Sequence, residues 1–197
     1  DVIDDRFAHK AIEKGADGLI PVAAGAGGHA GTTSPFALMQ EIREWFDGPV
    51  ALSGSIAHGQ SILAAQAMGA DFAYIGSAFI ATKEANAVQG YKENIVEAKA
   101  SDIVYSSLFT GVHGNYLRQS IVKAGMDPDN LPEGDISTMN FGSGGNTEAK
   151  AWKDIWGSGQ GIGAVKEVQS VADMVGRLEA EYRAAKARLD GAYRKGW

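Results

Sequence analysis

The sequence predicts an α/β protein built on parallel strands, and three observations predict it. Amphipathic segments of helical period alternate three times with short apolar runs. The runs are almost uniformly apolar instead of alternating, as expected of parallel strands covered on both faces. Each run also ends in small residues suited to a tight turn: "GAGGHAG" at 25–31, "SGSI" at 53–56 and "GSAF" at 76–79.

The first unit pairs "DRFAHKAIEKG", with Phe7, Ala8, Ala11 and Ile12 on one helical face, with the apolar run "GLIPVAA" at 18–24. In the second, Ser34 at an N-cap and Pro35 at the first helical position open "SPFALMQEIREWF", and "PVALS" at 49–53 follows. The third joins "QSILAAQAMG", which stops on Gly69, to "DFAYIG". Beyond Gly76 the regularity loosens into a helix near 84–98, a short strand at 102–106 and a helix near 115–124 that stops at Gly125. The polar, glycine-rich stretch from Met126 to Thr147 is too long for an ordinary connection and reads either as a functional covering loop, a lid, or as a mobile one. From Ser170 a last amphipathic helix carries Val171, Met174, Val175, Leu178 and Tyr182 on one stripe, with Asp173 placed as in a capping box.

Composition narrows the function. The 197 residues are 45% hydrophobic and 21% charged, enough to bury a core. The net charge of -6 and the scattered Lys and Arg argue against a nucleic-acid partner. With no cysteine there is no thiolate metal site, disulfide or cysteine nucleophile, and the four histidines lack the spacing of a helical metal site. No apolar run is long enough to span a membrane and no signal peptide is visible, so the cytoplasm is the expected location.

In a parallel α/β sheet ligands bind at the carboxyl ends of the strands. Two glycine turns about one βα unit apart, Gly54-Ser55 and Gly76-Ser77, suit a shared phosphate. The opening loop also satisfies a relaxed dinucleotide fingerprint through Gly25, Gly27 and Ala30, but residues 32–35 delay the helix and Ser53 stands where the fingerprint wants an acid. That leaves Gly25–Gly31 as a close-approach turn that exposes the imidazole of His29, a group able to take a proton or bind an anion near neutral pH. His9 and His58 read as surface or capping residues.

"GAGGHAG", "ALSGSIAHGQSILAAQAMGADFAYIGSAFIAT" and "KAWKDIWGSGQGIG" together resemble the nitronate monooxygenase family, formerly called 2-nitropropane dioxygenases. The resemblance implies a TIM (β/α)8 barrel that binds FMN at the carboxyl ends of its strands. By position it makes His29 catalytic, puts Gly27 and Gly28 along the flavin, and brings Gly54, Ser55, Tyr74, Ile75, Gly76 and Ser77 to its phosphate. The implied reaction is FMN-dependent oxidation of an alkyl nitronate, such as propionate-3-nitronate, or of a nitroalkane by O₂. The related alternative is an FMN-dependent reductase using NAD(P)H on enoyl-acyl-carrier-protein or quinone substrates. A catalytically silent phosphate-ligand module is the alternative of another class.

Ser55 stands where the family often has a second glycine, and Val22 where many members carry glutamine. Three clear βα units are fewer than the eight a closed barrel needs, so the expectation is a C-terminal part of the barrel partnered by its N-terminal half. On that expectation 1–110 supply barrel strands, 111–169 form a helical and loop insertion over the active site, and 170–197 form the terminal helix and tail. His113, Asn115, Tyr116 and the "GSGQG" loop at 157–161, with Gln160, are further candidates for the mouth of the site.

Overall fold

The computed structural model describes residues 1–134 and 154–193. In chain order the elements are α1 (Asp5–Glu13), β1 (Gly28–His29), α2 (Pro35–Arg43), β2 (Ala51–Ser53), α3 (Gly59–Ala67), β3 (Phe72–Tyr74), α4 (Ser77–Ile80), α5 (Gln89–Glu97), β4 (Ile103–Ser106), β5 (Gly114–Leu117), α6 (Arg118–Lys123) and α7 (Val171–Tyr193). Short 3-10 turns occupy Ala100–Asp102 and Gln160–Ala164.

The three predicted βα units form a parallel arc. Val2 bridges Pro21, Leu19 bridges Val50 and Val22 bridges Ser53, all parallel, and β2 continues into β3 in the register Ala51 to Phe72. Leu19, Val22, Val50 and Leu52 are buried, as parallel strands covered on both faces should be. β3 departs from the expectation: Phe72 is 64% and Tyr74 54% exposed. The physical reason is that β3 pairs with β2 alone, so its other edge lies open among the described residues.

Local signals account for the helix ends. Asp4 caps α1 by accepting the Phe7 N–H at 2.8 Å, and the His58 ring caps α3 by accepting that of Gln60 at 3.1 Å. Ser34 occupies the cap position of α2, but its side chain makes no capping bond; Pro35 alone favours the start. Ser170 accepts the Asp173 N–H at 3.1 Å, and its hydroxyl meets the Asp173 carboxylate at 2.6 Å. The inward face of α2, Leu38, Met39 and Ile42, packs with Val2, Leu19, Val50 and Leu52 into one core. Met174 and Leu178 of α7 join Ile95, Leu117 and Ile162 in a second. Val175, expected on the same stripe, is 48% exposed and faces the groove beside β3.

Helices α3 and α7 cross in close contact at Gly59, where a Cβ would lie 2.2 Å from the Tyr182 nitrogen. The Glu181 carboxylate accepts the Gly59 N–H at 2.8 Å and pairs with Arg177 at 2.7 Å and His58 at 3.3 Å. The start of α3 is therefore satisfied from within the protein.

A second sheet carries the largest departure from the sequence reading. Residues 114–117, expected to begin a helix at 115, are strand β5, and the helix starts only at Arg118. β5 pairs antiparallel with β4 on one side and with β1 on the other, Gly28 facing Asn115 and His29 facing Gly114. All four of its residues are buried, and this packing between two partners overrides local helical preference. The expected lid at Met126–Thr147 lies outside the described residues from 135 onward.

Candidate functional site

The three glycine turns meet at one cavity of about 250 Å³ at the carboxyl ends of the parallel arc. Gly27, Gly28, Gly54, Ser55, Tyr74, Gly76 and Ser77 all line it. Ile75 does not; it packs into the second core. His29 also falls outside the lining, one residue beyond Gly28.

Close approach explains the glycines. A Cβ on Gly27 would sit 2.8 Å from the Gly159 nitrogen and 2.9 Å from Ser77 Oγ; one on Gly159 would sit 2.6 Å from the Gly25 carbonyl oxygen. The 25–31 turn and the 157–161 segment thus lie backbone against backbone. The Gln160 N–H donates to Gly25 at 2.8 Å, the Gly159 N–H to Ser77 Oγ at 2.9 Å, and buried Asn115 donates from Nδ2 to the Ala26 carbonyl at 2.7 Å. Asn115 is accordingly a clamp on the glycine turn. Gln160 holds that turn through its backbone and does not line the cavity.

The two turns read as phosphate-suited have the required donors. Among the described residues, the N–H groups of Gly54, Ser55, Gly76 and Ser77 donate to no protein acceptor. Gly54 has φ +133° and Ser55 φ +57°, and Ser55 is the one non-glycine residue with positive φ among those described. A serine held in the left-handed region costs about 1–2 kcal/mol, and it sits where the resemblance expects glycine.

Sequence reasoning missed two aromatic walls of the cavity. Tyr91 and Trp156 stack at 5.1 Å, and the Tyr91 hydroxyl donates to the Gly157 carbonyl. Burial pushes the Tyr91 phenol up to about 12, so it remains a donor. Tyr91 is 66 positions from Gly157, and no local pattern announces that contact.

His29 sits in β1, its backbone held against β5, and the next carbonyl, Ala30, accepts the Tyr105 hydroxyl at 2.8 Å. Its Nε2 lies 2.8 Å from Thr110 Oγ1. Burial holds the imidazole below its ordinary value of 6.5, so the neutral form predominates at pH 7. Of the other mouth candidates, His113 stacks on Tyr105 at 4.9 Å and lies 3.7 Å from Glu133. Tyr116 packs in a separate core with Phe109, and burial, opposed in part by the neighbouring Thr110 hydroxyl, raises its pKa. Val22 is buried against Ala26 and Ala30 beneath the turn. Among the described residues no group of three or more His, Cys, Asp or Glu is placed to hold a metal, and no helix is long and apolar enough to cross a membrane.

Fold and site define the class first: a parallel α/β protein whose strand-end glycine turns enclose a cavity with backbone donors that have no acceptor among the described residues. The nitronate monooxygenase family profile matches residues 6–181, and the chain belongs to that family. It is 27% identical over 191 residues to a nitronate monooxygenase of Paraburkholderia phytofirmans, covering 89% of this chain and 51% of the relative. Among solved structures it resembles a nitroalkane oxidase of Streptomyces ansochromogenes, with TM-score 0.74, 25% identity, and 95% and 58% of the two chains covered. It resembles FabK of Thermotoga maritima in fold, with TM-score 0.73, 23% identity, and 97% and 62% covered. The chain spans between 30% and 51% of the length of curated relatives such as these.

Proposed function

We propose that this chain forms the active-site part of an FMN-dependent oxidoreductase that oxidises alkyl nitronates, of the propionate-3-nitronate type, with O₂. The observation that carries the reading is the pair of turns at Gly54-Ser55 and Gly76-Ser77, whose four N–H groups have no acceptor among the described residues and stand at a glycine-lined cavity. Unpaired backbone donors from two neighbouring strand ends fit a phosphate monoester better than any neutral group. Gly28, where an added Cβ would meet no protein atom within 4 Å, leaves room for a flat ring beside the turn, and Gly27 lets the turn pack directly against Gly159 and Ser77. Tyr74 ends β3 and Ile75 follows it, leading into the second turn. When bound, FMN supplies electron transfer from the nitronate to O₂.

The chain's own residues do the rest. His29, neutral at pH 7, accepts the α-proton of a nitroalkane or, once protonated, pairs with the nitronate anion. Asn115 and the 157–160 segment hold its turn in place, and Tyr91 with Trp156 walls the cavity from water. On this reading the described parts of 111–169, residues 111–134 and 154–169, stand over the site, and α7 braces it through α3.

The open edge of β3 supports a further part of the proposal. Tyr74 lines the cavity and is also more than half exposed, so the cavity opens at a sheet edge that is unpaired among the described residues. The N-terminal half of a (β/α)8 barrel would pair there, complete the FMN site and make this chain the C-terminal half. In the FMN-loaded full-length protein, His29→Asn is expected to abolish O₂ uptake with nitroalkane while retaining flavin. Unchanged uptake would remove His29 from the reaction.

A further inference from the structure

The two turns at the cavity lie beyond the part of the sheet that could hold them together. Ser53 and Tyr74 are the last paired residues of β2 and β3, so the ladder does not fix the separation of Gly54-Ser55 from Gly76-Ser77. Ser55 is also strained, at φ +57°, and a strained residue persists only where its surroundings over-determine it. Donors aimed at one phosphate must nevertheless keep their places to within about 0.5 Å. The distance between the turns has to be set from outside the sheet.

Helix α7 is attached behind both turns. The Glu181 carboxylate accepts the Gly59 N–H at 2.8 Å and pairs with Arg177 at 2.7 Å and His58 at 3.3 Å, and Arg177 also reaches the Ala57 carbonyl at 3.4 Å. Ala57 follows the first turn and itself lines the cavity. At the start of the helix the Val171 N–H donates to the Glu84 carboxylate at 2.9 Å, and just before it the Gln169 carbonyl accepts the Lys83 N–H at 2.9 Å. Lys83 and Glu84 follow the second turn through α4. Between these attachments Met174 and Leu178 share one core with Ala57, Ala78 and Ala81. An α-helix is a stiff rod that rises about 1.5 Å per residue, so its ends hold the two attachments at a set distance. Apolar packing keeps α7 on the protein but has no direction; the charge-assisted bonds of Glu181 fix where the start of α3 stands.

We infer that Glu181, supported by Arg177, is a positioning residue that sets the separation of the two turns through α7 and thereby the preference of the site for a phosphorylated flavin over its unphosphorylated form. The inference rests on the reading of these turns as the phosphate site. Arg177 has a second effect, since it compensates a carboxylate that would otherwise stand alone behind an anion-binding turn.

FMN and riboflavin differ only in the phosphate, so the ratio of their affinities for the full-length apoprotein reads the turns apart from the ring. Flavin-fluorescence titration is expected to show that Glu181→Ala lowers FMN affinity about tenfold or more, the share of one hydrogen bond to a charged group, and leaves riboflavin affinity unchanged. Glu181→Gln, which keeps an acceptor for Gly59, is expected to recover most of the loss, and the ³¹P resonance of bound FMN to move in the alanine variant and return in the glutamine one. Should Glu181→Ala not fold, Arg177→Met leaves the carboxylate uncompensated and is expected to lower the same ratio. Asp4→Ala removes the cap of α1, away from both turns, and should lower Tm without changing the ratio. Equal losses for FMN and riboflavin, a preference for FMN indifferent to Glu181→Ala, or the same fall in the ratio with Asp4→Ala would overturn the inference and leave the phosphate reading standing. If the unaltered protein binds riboflavin as tightly as FMN, the phosphate reading itself fails and the inference falls with it.

Discussion

Replacing Gly27 by alanine tests the claim that the glycine turn and the 157–161 segment form one close-packed wall of the site. The added Cβ would lie 2.8 Å from the Gly159 nitrogen, 2.9 Å from Ser77 Oγ and 3.0 Å from the Ser158 carbonyl carbon. Ordinary contact is about 3.5–4.0 Å, so the 157–159 backbone must retreat by about 0.5–1 Å. Two of these atoms are backbone and cannot rotate away. Overpacking of this kind costs about 1–3 kcal/mol, and stretching the Gly159 to Ser77 hydrogen bond adds about 1 kcal/mol. The stiffer unfolded chain of an alanine variant returns about 0.4–1 kcal/mol. The net loss is about 1–3.5 kcal/mol, and a 2 kcal/mol loss lowers Tm by about 4–8 °C for a chain of this size.

Two controls separate contact from backbone strain. Gly157→Ala meets nothing nearer than 3.4 Å and should leave Tm nearly unchanged. Gly28→Ala meets no atom within 4 Å but sits at φ +70°, so it should cost about 1–2 kcal/mol through conformation alone. Thermal melts and FMN titration of the three variants form the assay, with FMN binding weakened about tenfold or more in Gly27→Ala. If Gly27→Ala melts and binds like Gly157→Ala, the packed wall is wrong.

Two further predictions concern the clamp and the histidine. Asn115→Leu removes the bond to the Ala26 carbonyl and leaves that buried acceptor unpaired, at about 1–3 kcal/mol; chemical denaturation should register it, and an unchanged midpoint would show that the turn does not depend on Asn115. Because the imidazolium has no lone pair, kcat/KM for a neutral nitroalkane should fall as pH drops through a value below 6.5 and be flat above it. A limb centred above 6.5 would contradict the effect of burial. The same lowered pKa means the unfolded chain binds the proton more readily, so stability from this group is complete above 6.5 and declines as pH falls below it.

The parts of the fold governed by local chemistry were legible in the sequence. The switch from helical period to short apolar run located α1, α2 and α3 and the three parallel segments, because each helix buries one stripe and each strand both faces. The glycine turns were legible for the same reason: they end those runs. Contacts made across the chain were not. Residues 114–117 look helical in isolation and become a strand because β1 and β4 flank them, and Thr110 reaches His29 across 81 positions. Tyr91 and Trp156 gave no local sign of walling the cavity. The exposure of β3 follows from its single pairing partner, which an apolar run alone does not reveal.

Whether this site handles nitronates with a bound flavin is decided by anaerobic stopped-flow mixing of the FMN-loaded full-length protein. An alkyl nitronate is expected to bleach the oxidised-flavin absorption and admitted O₂ to restore it, with the bleaching weakened when Gly27→Ala disturbs the wall. Rapid bleaching by NAD(P)H with none by the nitronate would contradict it and place the protein among the reductases.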